Sequence, residues 1–181
     1  VASGQIMLDH YLAMSPGIDD ESIEGIPTVE PAFGMPALWV NEDMKEEAEM
    51  SGYAIVDPPS VVSTHLTEVI KRHAHELLGR QEVRALVENV RETSPAVVEE
   101  LIPNLMAIGE VQKVLMKLLK EKVSIRNLLA ILETLADFAS QTKDTDILTE
   151  YVRQALSRQI TLQYAQGSQA LQVLTAGASL E

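Results

Sequence analysis

The sequence contains no cysteine, and only two phenylalanines and one tryptophan among its 181 residues. The absence of cysteine excludes disulfide bonds and thiolate metal sites, and it favours a reducing compartment. No apolar run approaches the ~20 residues that a membrane-spanning helix needs, and no signal peptide opens the chain. Because the chain begins with Val1 rather than Met, we expect it to be a piece of a longer protein.

Basic residues are scarce at the start of the chain. The formal net charge is −13, and residues 1–50 hold eleven acidic residues against a single base, Lys45. Residues 51–181 are closer to balance, with sixteen acidic and thirteen basic residues. A protein that binds the phosphate backbone of nucleic acids needs the opposite sign of charge. Nucleic acid is therefore not an expected partner.

The spacing of apolar residues changes at Pro59. The elements before it are short and mixed, which predicts a small α/β unit. They are an extended or mixed segment over 5–14, an irregular exposed connection over 17–31, a charged helix over 42–50 with Asn41 as its N-cap, and a buried strand over 53–56.

After Pro59 the apolar residues recur at helical steps of three and four. The first helix carries one apolar stripe made of Val62, Leu66, Val69, His73 and Leu77. Five amphipathic helices follow with short connections, which predicts an all-α domain. They are predicted over 81–92, 95–102 and 110–122, after a cap at Ser124, and from residue 144 or 145. Near the end, residues 169–174 alternate imperfectly and predict a strand.

The residues give little sign of catalysis or metal binding. His65, His73 and His75 lie eight and two apart on the first long helix, so they do not share a face that could hold a metal. His73 is predicted as a hydrogen-bonded core histidine and His75 as a solvated one. The sequence contains no HExxH motif and no glycine-rich phosphate loop. We therefore predict no catalytic residue, no metal and no cofactor, and a small hydrolase that uses Glu and His remains the alternative from another class.

The segment Glu30-Pro-Ala-Phe-Gly-Met-Pro-Ala-Leu-Trp-Val40 is the most informative one. Two prolines and a glycine around Phe33 hold the backbone in fixed turns. An aromatic side chain on such a turn can serve as a rigid binding anchor. The alternative is that Phe33 packs inward as local core.

Together with the segment Gly52-Tyr-Ala-Ile-Val-Asp-Pro-Pro-Ser-Val-Val-Ser-Thr-His-Leu66, this stretch resembles the cytoplasmic domain of the FlhA/InvA/LcrD family. These are the export-gate proteins of flagellar and virulence type III secretion. The resemblance extends over nearly the whole chain and implies an α+β fold of several subdomains. It implies a partial first subdomain (1–8 and 58–77), a small inserted α/β second one (9–57), a helical third one (78–157) and the truncated start of a further α/β subdomain (158–181).

The resemblance also implies a function that is not enzymatic. In the family, export chaperones with bound cargo dock in an apolar dimple, and the cargo passes to the membrane gate. The positions of this sequence that match the docking pattern are Glu30, Phe33 and Thr64, with Met14, Pro16 and Val56 lining the dimple. Asp is usual where Glu30 stands, and we expect the Glu30 carboxylate to be an acceptor at the rim.

Further expectations follow from the same resemblance. It implies a nonameric ring, contacts with other components of the export apparatus, and a location at the cytoplasmic face of the bacterial inner membrane. The membrane is reached only through an N-terminal part that precedes this chain. The Pro-Ala-Phe-Gly motif favours the flagellar branch, and a virulence injectisome homologue is the alternative.

Overall fold

The computed structural model describes residues 6–15 and 23–165. The chain divides into two compact units, residues 1–72 and residues 73–181. A small antiparallel sheet belongs to the first unit, and the second unit is helical, so the predicted α+β class is confirmed. Pro16 and the strand predicted over 169–174 lie outside the described residues. The boundaries of the four subdomains remain a prediction.

The sheet of the first unit has four strands in the described residues. They are β1 (Tyr11–Met14), β2 (Ile26–Val29), β3 (Pro36–Val40) and β4 (Ala54–Val56), in the spatial order β2-β3-β1-β4, with antiparallel pairing throughout. The predicted irregular connection over 17–31 is wrong for residues 26–29, which form β2, and β3 was not predicted. Each strand contains a proline, and proline in a sequence argues against a β-strand.

The register explains why the two prolines are tolerated. Pro27 lies opposite Leu38, and Pro36 lies opposite Val29. The backbone N–H of Glu30 donates to the carbonyl of Met35, so these two opposite residues form a hydrogen-bonded pair. Along an antiparallel pair of strands, hydrogen-bonded and non-hydrogen-bonded residue pairs alternate. The pairs that contain Pro36 and Pro27 lie one and three steps from Glu30, so both are non-hydrogen-bonded pairs. At such positions the backbone N–H does not bond the opposite strand, and a proline, which has no N–H, is tolerated.

Two short helices complete the first unit. A 3-10 turn covers Glu42–Met44 and continues into α1 (Lys45–Met50). The predicted cap is confirmed, because Oδ1 of Asn41 accepts a hydrogen bond from the Met44 backbone N–H at 3.0 Å. Helix α2 covers Pro58–Leu77 and begins in the first unit.

Neighbouring residues of β1 serve opposite faces of the sheet, as strand geometry requires. Ala13 packs in a small core with Ala48 of α1 and with Tyr53. Leu12 packs in a second core with Trp39 and with Val61 of α2. The second core fixes the start of α2 against the sheet face that carries the candidate site.

The apolar stripe predicted on α2 does not form a core in the described residues. Leu66 and Leu77 are 50% and 63% exposed, whereas Pro58 and Val61 are the buried residues of the helix. The prediction that His73 is a core histidine is wrong, because its side chain is exposed and bonds Glu76. His75, predicted to be solvated, is the more buried of the two. The face that packs on the first unit starts at Val61 and not at Val62.

The second unit is a set of helices around one core. Its helices are α3 (Arg80–Thr93), α4 (Pro95–Leu101), α5 (Ile108–Lys120), α6 (Leu128–Phe138), α7 (Thr145–Ala155) and α8 (Ser157–Ala165). The five predicted helices are confirmed, and α8 is an addition. Ser124 does not cap a helix, because α6 begins at Leu128 and its N-cap residue is Asn127. Across the described residues, no helix combines the length and apolarity needed to cross a bilayer.

Candidate docking site at the Phe33 turn

The connection between β2 and β3 is a tight turn that carries Phe33. The N–H of Glu30 donates to the carbonyl of Met35 at 2.8 Å, and the N–H of Gly34 donates to the carbonyl of Glu30 at 2.9 Å. Gly34 has φ of 75°, which is a left-handed conformation that favours glycine. Phe33 is 63% exposed. The Phe33 ring therefore does not pack inward as part of a local core.

The Glu30 carboxylate lies inside the turn. Oε1 accepts a hydrogen bond from the N–H of Ala32 at 2.9 Å, and Oε2 accepts from the N–H of Phe33 at 2.7 Å. The residue is 4% exposed. Such charge-assisted bonds to backbone amides are stronger than neutral ones. Glu30 thus holds the turn from within, in contrast to the expected acceptor directed at a partner from the rim.

Two side chains of α2 contact the same turn. Nδ1 of His65 lies 2.9 Å from the carbonyl oxygen of Pro31, and Nη2 of Arg72 donates to the carbonyl of Ala32 at 2.9 Å. Neither contact was predicted. The available signal was the helical spacing from the buried Val61, because residues four and eleven positions later lie on the same face.

An apolar cavity of about 110 Å³ lies beside the Phe33 turn. Its lining residues are Leu12, Met14, Glu30, Phe33, Met35, Val56, Val61 and Thr64. Five of the six predicted site residues line it, and the sixth, Pro16, lies outside the described residues. A water molecule occupies about 30 Å³ in the liquid, so the cavity has room for a small apolar side chain.

Three of the lining residues were not predicted from the sequence. Leu12 lies two positions from Met14, so the two share one face of β1. Val61 lies three positions from Thr64, so the two share one face of α2. Met35 closes the turn opposite Glu30. Leu12 and Val61 therefore follow from the spacing around residues that were already predicted.

Two ionisable groups of the described residues have shifted pKa values, and neither is among the residues that line this cavity. A hydrogen bond with the His10 ring lowers the pKa of Asp9, and a hydrogen bond with the His73 ring lowers the pKa of Glu76. Within residues 6–15 and 23–165, no group of three His, Asp or Glu side chains converges as a metal site requires. The geometry beside Phe33 is suited to packing an apolar group.

The comparison with protein families gives a match over the whole chain. The model of the FHIPEP family matches residues 1–181. The flagellar biosynthesis protein FlhA of Bacillus subtilis strain 168 is 59% identical over 181 residues, which are 100% of this chain and 27% of that protein. The chain thus spans well under half the length of this relative.

Solved structures resemble the fold as well. The CdsV protein of Chlamydia pneumoniae, in its complex with CdsO, aligns with a TM-score of 0.80 and 31% identity over 93% of this chain and 52% of that one. The nonameric EscV cytosolic domain from the type III secretion system aligns with a TM-score of 0.65 and 27% identity, over 89% of this chain and 48% of that one.

Proposed function

The chain belongs to the FHIPEP family, and from this premise we propose that it is a docking and gating part of a flagellar type III protein export apparatus. Its role is to bind export chaperones with their cargo at the Phe33 turn and to hand the cargo to a membrane gate. This role requires no chemistry from the chain. The proposal is therefore for a binding protein and not for an enzyme.

One observation carries the docking part of the proposal. A hydrogen-bonded turn holds an exposed aromatic ring at the edge of an apolar cavity whose lining includes a threonine, Thr64. Interface anchors of high energetic weight are commonly aromatic residues next to such pockets. The small volume of the cavity suits one side chain of a protein partner and is far below the ~300 Å³ or more of a typical ligand pocket.

The flagellar branch is supported by sequence identity. Identity is 59% to FlhA of Bacillus subtilis and 31% to CdsV of Chlamydia pneumoniae. An injectisome role is the second candidate, and the structural likeness to the EscV cytosolic domain of a type III secretion system supports it. The difference in identity makes the flagellar role the better supported of the two.

The proposal includes an assembly and a location. EscV is nonameric in its solved structure, and CdsV was solved with CdsO. By analogy, we propose that the full-length protein forms a ring through this region, contacts other export components, and presents the region at the cytoplasmic face of the inner membrane. A ring contact is heterologous, so two different faces of each subunit meet.

The test is calorimetric titration of a flagellar chaperone–cargo complex into the full-length protein. Phe33→Ala is compared with Val29→Ala, an exposed apolar position on β2 that does not line the cavity. We expect Phe33→Ala to weaken binding by ~2 kcal/mol or more, about thirtyfold in Kd, with folding unchanged. Val29→Ala should bind as the unsubstituted protein does.

Three outcomes would each contradict a part of the proposal. Equal affinities of the folded Phe33→Ala and Val29→Ala proteins would remove the Phe33 turn as the docking site. Absence of binding to the unsubstituted protein would remove chaperone docking as the function. Binding of injectisome chaperones in place of flagellar ones would move the proposal to the second candidate.

A further inference from the structure

The backbone of the Phe33 turn is held on two sides. The Glu30 carboxylate accepts from the amides of Ala32 and Phe33, while α2 contacts the carbonyls that precede Phe33. We propose that His65 and Arg72 are positioning residues of the docking site, which fix the turn so that the Phe33 ring stays at the edge of the cavity. This inference rests on the proposed function of the turn.

The two contacts come from one face of α2. His65 and Arg72 are seven residues apart, which is close to two helical turns, so their side chains project along the same side. They reach consecutive carbonyls, those of Pro31 and Ala32, across 34 and 40 positions of sequence. The turn is thus tied to a distant helix and not only to its own hairpin. The same helix supplies Thr64 to the cavity lining.

The protonation of His65 follows from its partner. A carbonyl oxygen only accepts hydrogen bonds, so the ring nitrogen that faces Pro31 carries the hydrogen. A neutral His65 therefore carries its hydrogen on Nδ1 and leaves Nε2 unprotonated. Nitrogen chemical shifts distinguish this tautomer from the other one without any partner protein.

The contacts of His65 and Arg72 with the turn together form a clamp. This clamp matters because the Phe33 ring is mostly exposed and has little packing of its own to hold it. A turn that is ordered before binding loses less conformational entropy when the partner docks. Removal of one clamp should therefore weaken partner binding without removing any contact with the partner. One hydrogen bond of ordinary net strength corresponds to about fivefold in Kd.

The first test uses the small number of phenylalanines. Fluorine-labelled phenylalanine gives two signals, one from Phe33 and one from Phe138. Phe138 stacks on Tyr151 with ring centroids 4.0 Å apart, so it serves as an internal reference. We expect His65→Ala and Arg72→Ala to shift or broaden the Phe33 signal and to leave the Phe138 signal unchanged.

Conservative variants and a neighbouring residue provide the controls. His65→Asn keeps a donor close to the position of Nδ1, and Arg72→Lys keeps a cationic donor, so both should return the Phe33 signal toward that of the unsubstituted chain. Lys71 pairs with Glu68 beside this face. Lys71→Ala should leave both fluorine signals as they are.

The second test is the affinity of the full-length protein for a flagellar chaperone–cargo complex. We expect a loss of about fivefold for each alanine variant, with recovery in His65→Asn and Arg72→Lys and no effect of Lys71→Ala. An unchanged Phe33 signal in both alanine variants would overturn the inference, as would a hydrogen on Nε2 of neutral His65. If the unsubstituted protein does not bind the complex, the proposed function fails, and the fluorine spectra still decide whether the clamp exists.

Discussion

The backbone N–H of Gly34 donates to the carbonyl of Glu30 at 2.9 Å, and Gly34 adopts φ of 75° to do so. A Cβ at this position meets no atom within 4 Å. Space therefore does not select glycine here, and the backbone conformation does. The turn that exposes Phe33 depends on this one left-handed residue.

Replacement of Gly34 separates conformation from space. We expect Gly34→Ala to lower the free energy of unfolding by about 1–2 kcal/mol, the usual cost of a left-handed L-residue. Gly34→Asn should cost less, because asparagine tolerates this conformation. Urea denaturation followed by circular dichroism measures both. A larger loss for Asn than for Ala would mean that side-chain volume, and not φ, is the constraint.

A second prediction concerns the chemistry of the Glu30 side chain. Glu30→Gln removes one of the two acceptors while the residue stays buried, so the amide of Ala32 or Phe33 loses its partner. We expect a loss of stability of about 1–3 kcal/mol, typical of a buried donor left without an acceptor. Glu30→Asp should be milder, because aspartate bonds backbone amides two and three residues ahead in capping turns.

Thermal unfolding at neutral pH compares the two variants. The prediction requires Glu30→Gln to melt below Glu30→Asp, with the unsubstituted chain highest or level with Asp. If Glu30→Gln melts with the unsubstituted chain and Glu30→Asp melts below it, the carboxylate charge contributes nothing to the turn, and only the side-chain shape matters.

The sequence predicted most helices but not the sheet pairing. The helices show their apolar spacing locally, so α3 to α7 could be assigned from periodicity. Strands β2 and β3 contain Pro27 and Pro36, which locally argue against strands, and only the register of the pair reveals that both positions need no N–H. Neither segment alone shows this pairing, because each proline position is explained only by the opposite strand.

The candidate site also has parts that could be predicted from the sequence and parts that could not. Phe33, Thr64, Met14 and Val56 were assigned from the family resemblance, and all four line the cavity. The inward turn of the Glu30 carboxylate could not be predicted, because it depends on amides that lie close only after the turn forms. The contact between Arg72 and the Ala32 carbonyl spans 40 positions of sequence and needs the fold to appear.

A third prediction tests the core of the second unit. Leu132 on α6 is fully buried, whereas Leu162 on α8 is 64% exposed. We expect Leu132→Ala to destabilise the chain by about 2–5 kcal/mol through lost burial and the cavity left behind. Leu162→Ala, the same chemical change at an exposed site, should stay within about 0.5 kcal/mol. Urea titration of both variants provides the comparison, and similar losses at the two positions would contradict the assigned core.

The last prediction concerns pH and the exposed group Glu76. Its pKa is lowered first by the hydrogen bond with His73, next by the charge of His73, and to a smaller extent by the charge of His75, whose Nε2 lies 3.8 Å from Oε1. A carboxyl whose pKa is lower in the folded state stabilises the fold above its unfolded pKa, and this contribution disappears as the pH falls through the folded value. The contribution of Glu76 is thus present at neutral pH and absent in acid.

Carbon-detected NMR titration should place the titration midpoint of Glu76 below that of an unstructured glutamate. His73→Ala should raise the midpoint toward the ordinary value, and His75→Ala should move it less; the reverse order would assign the hydrogen bond to the wrong histidine.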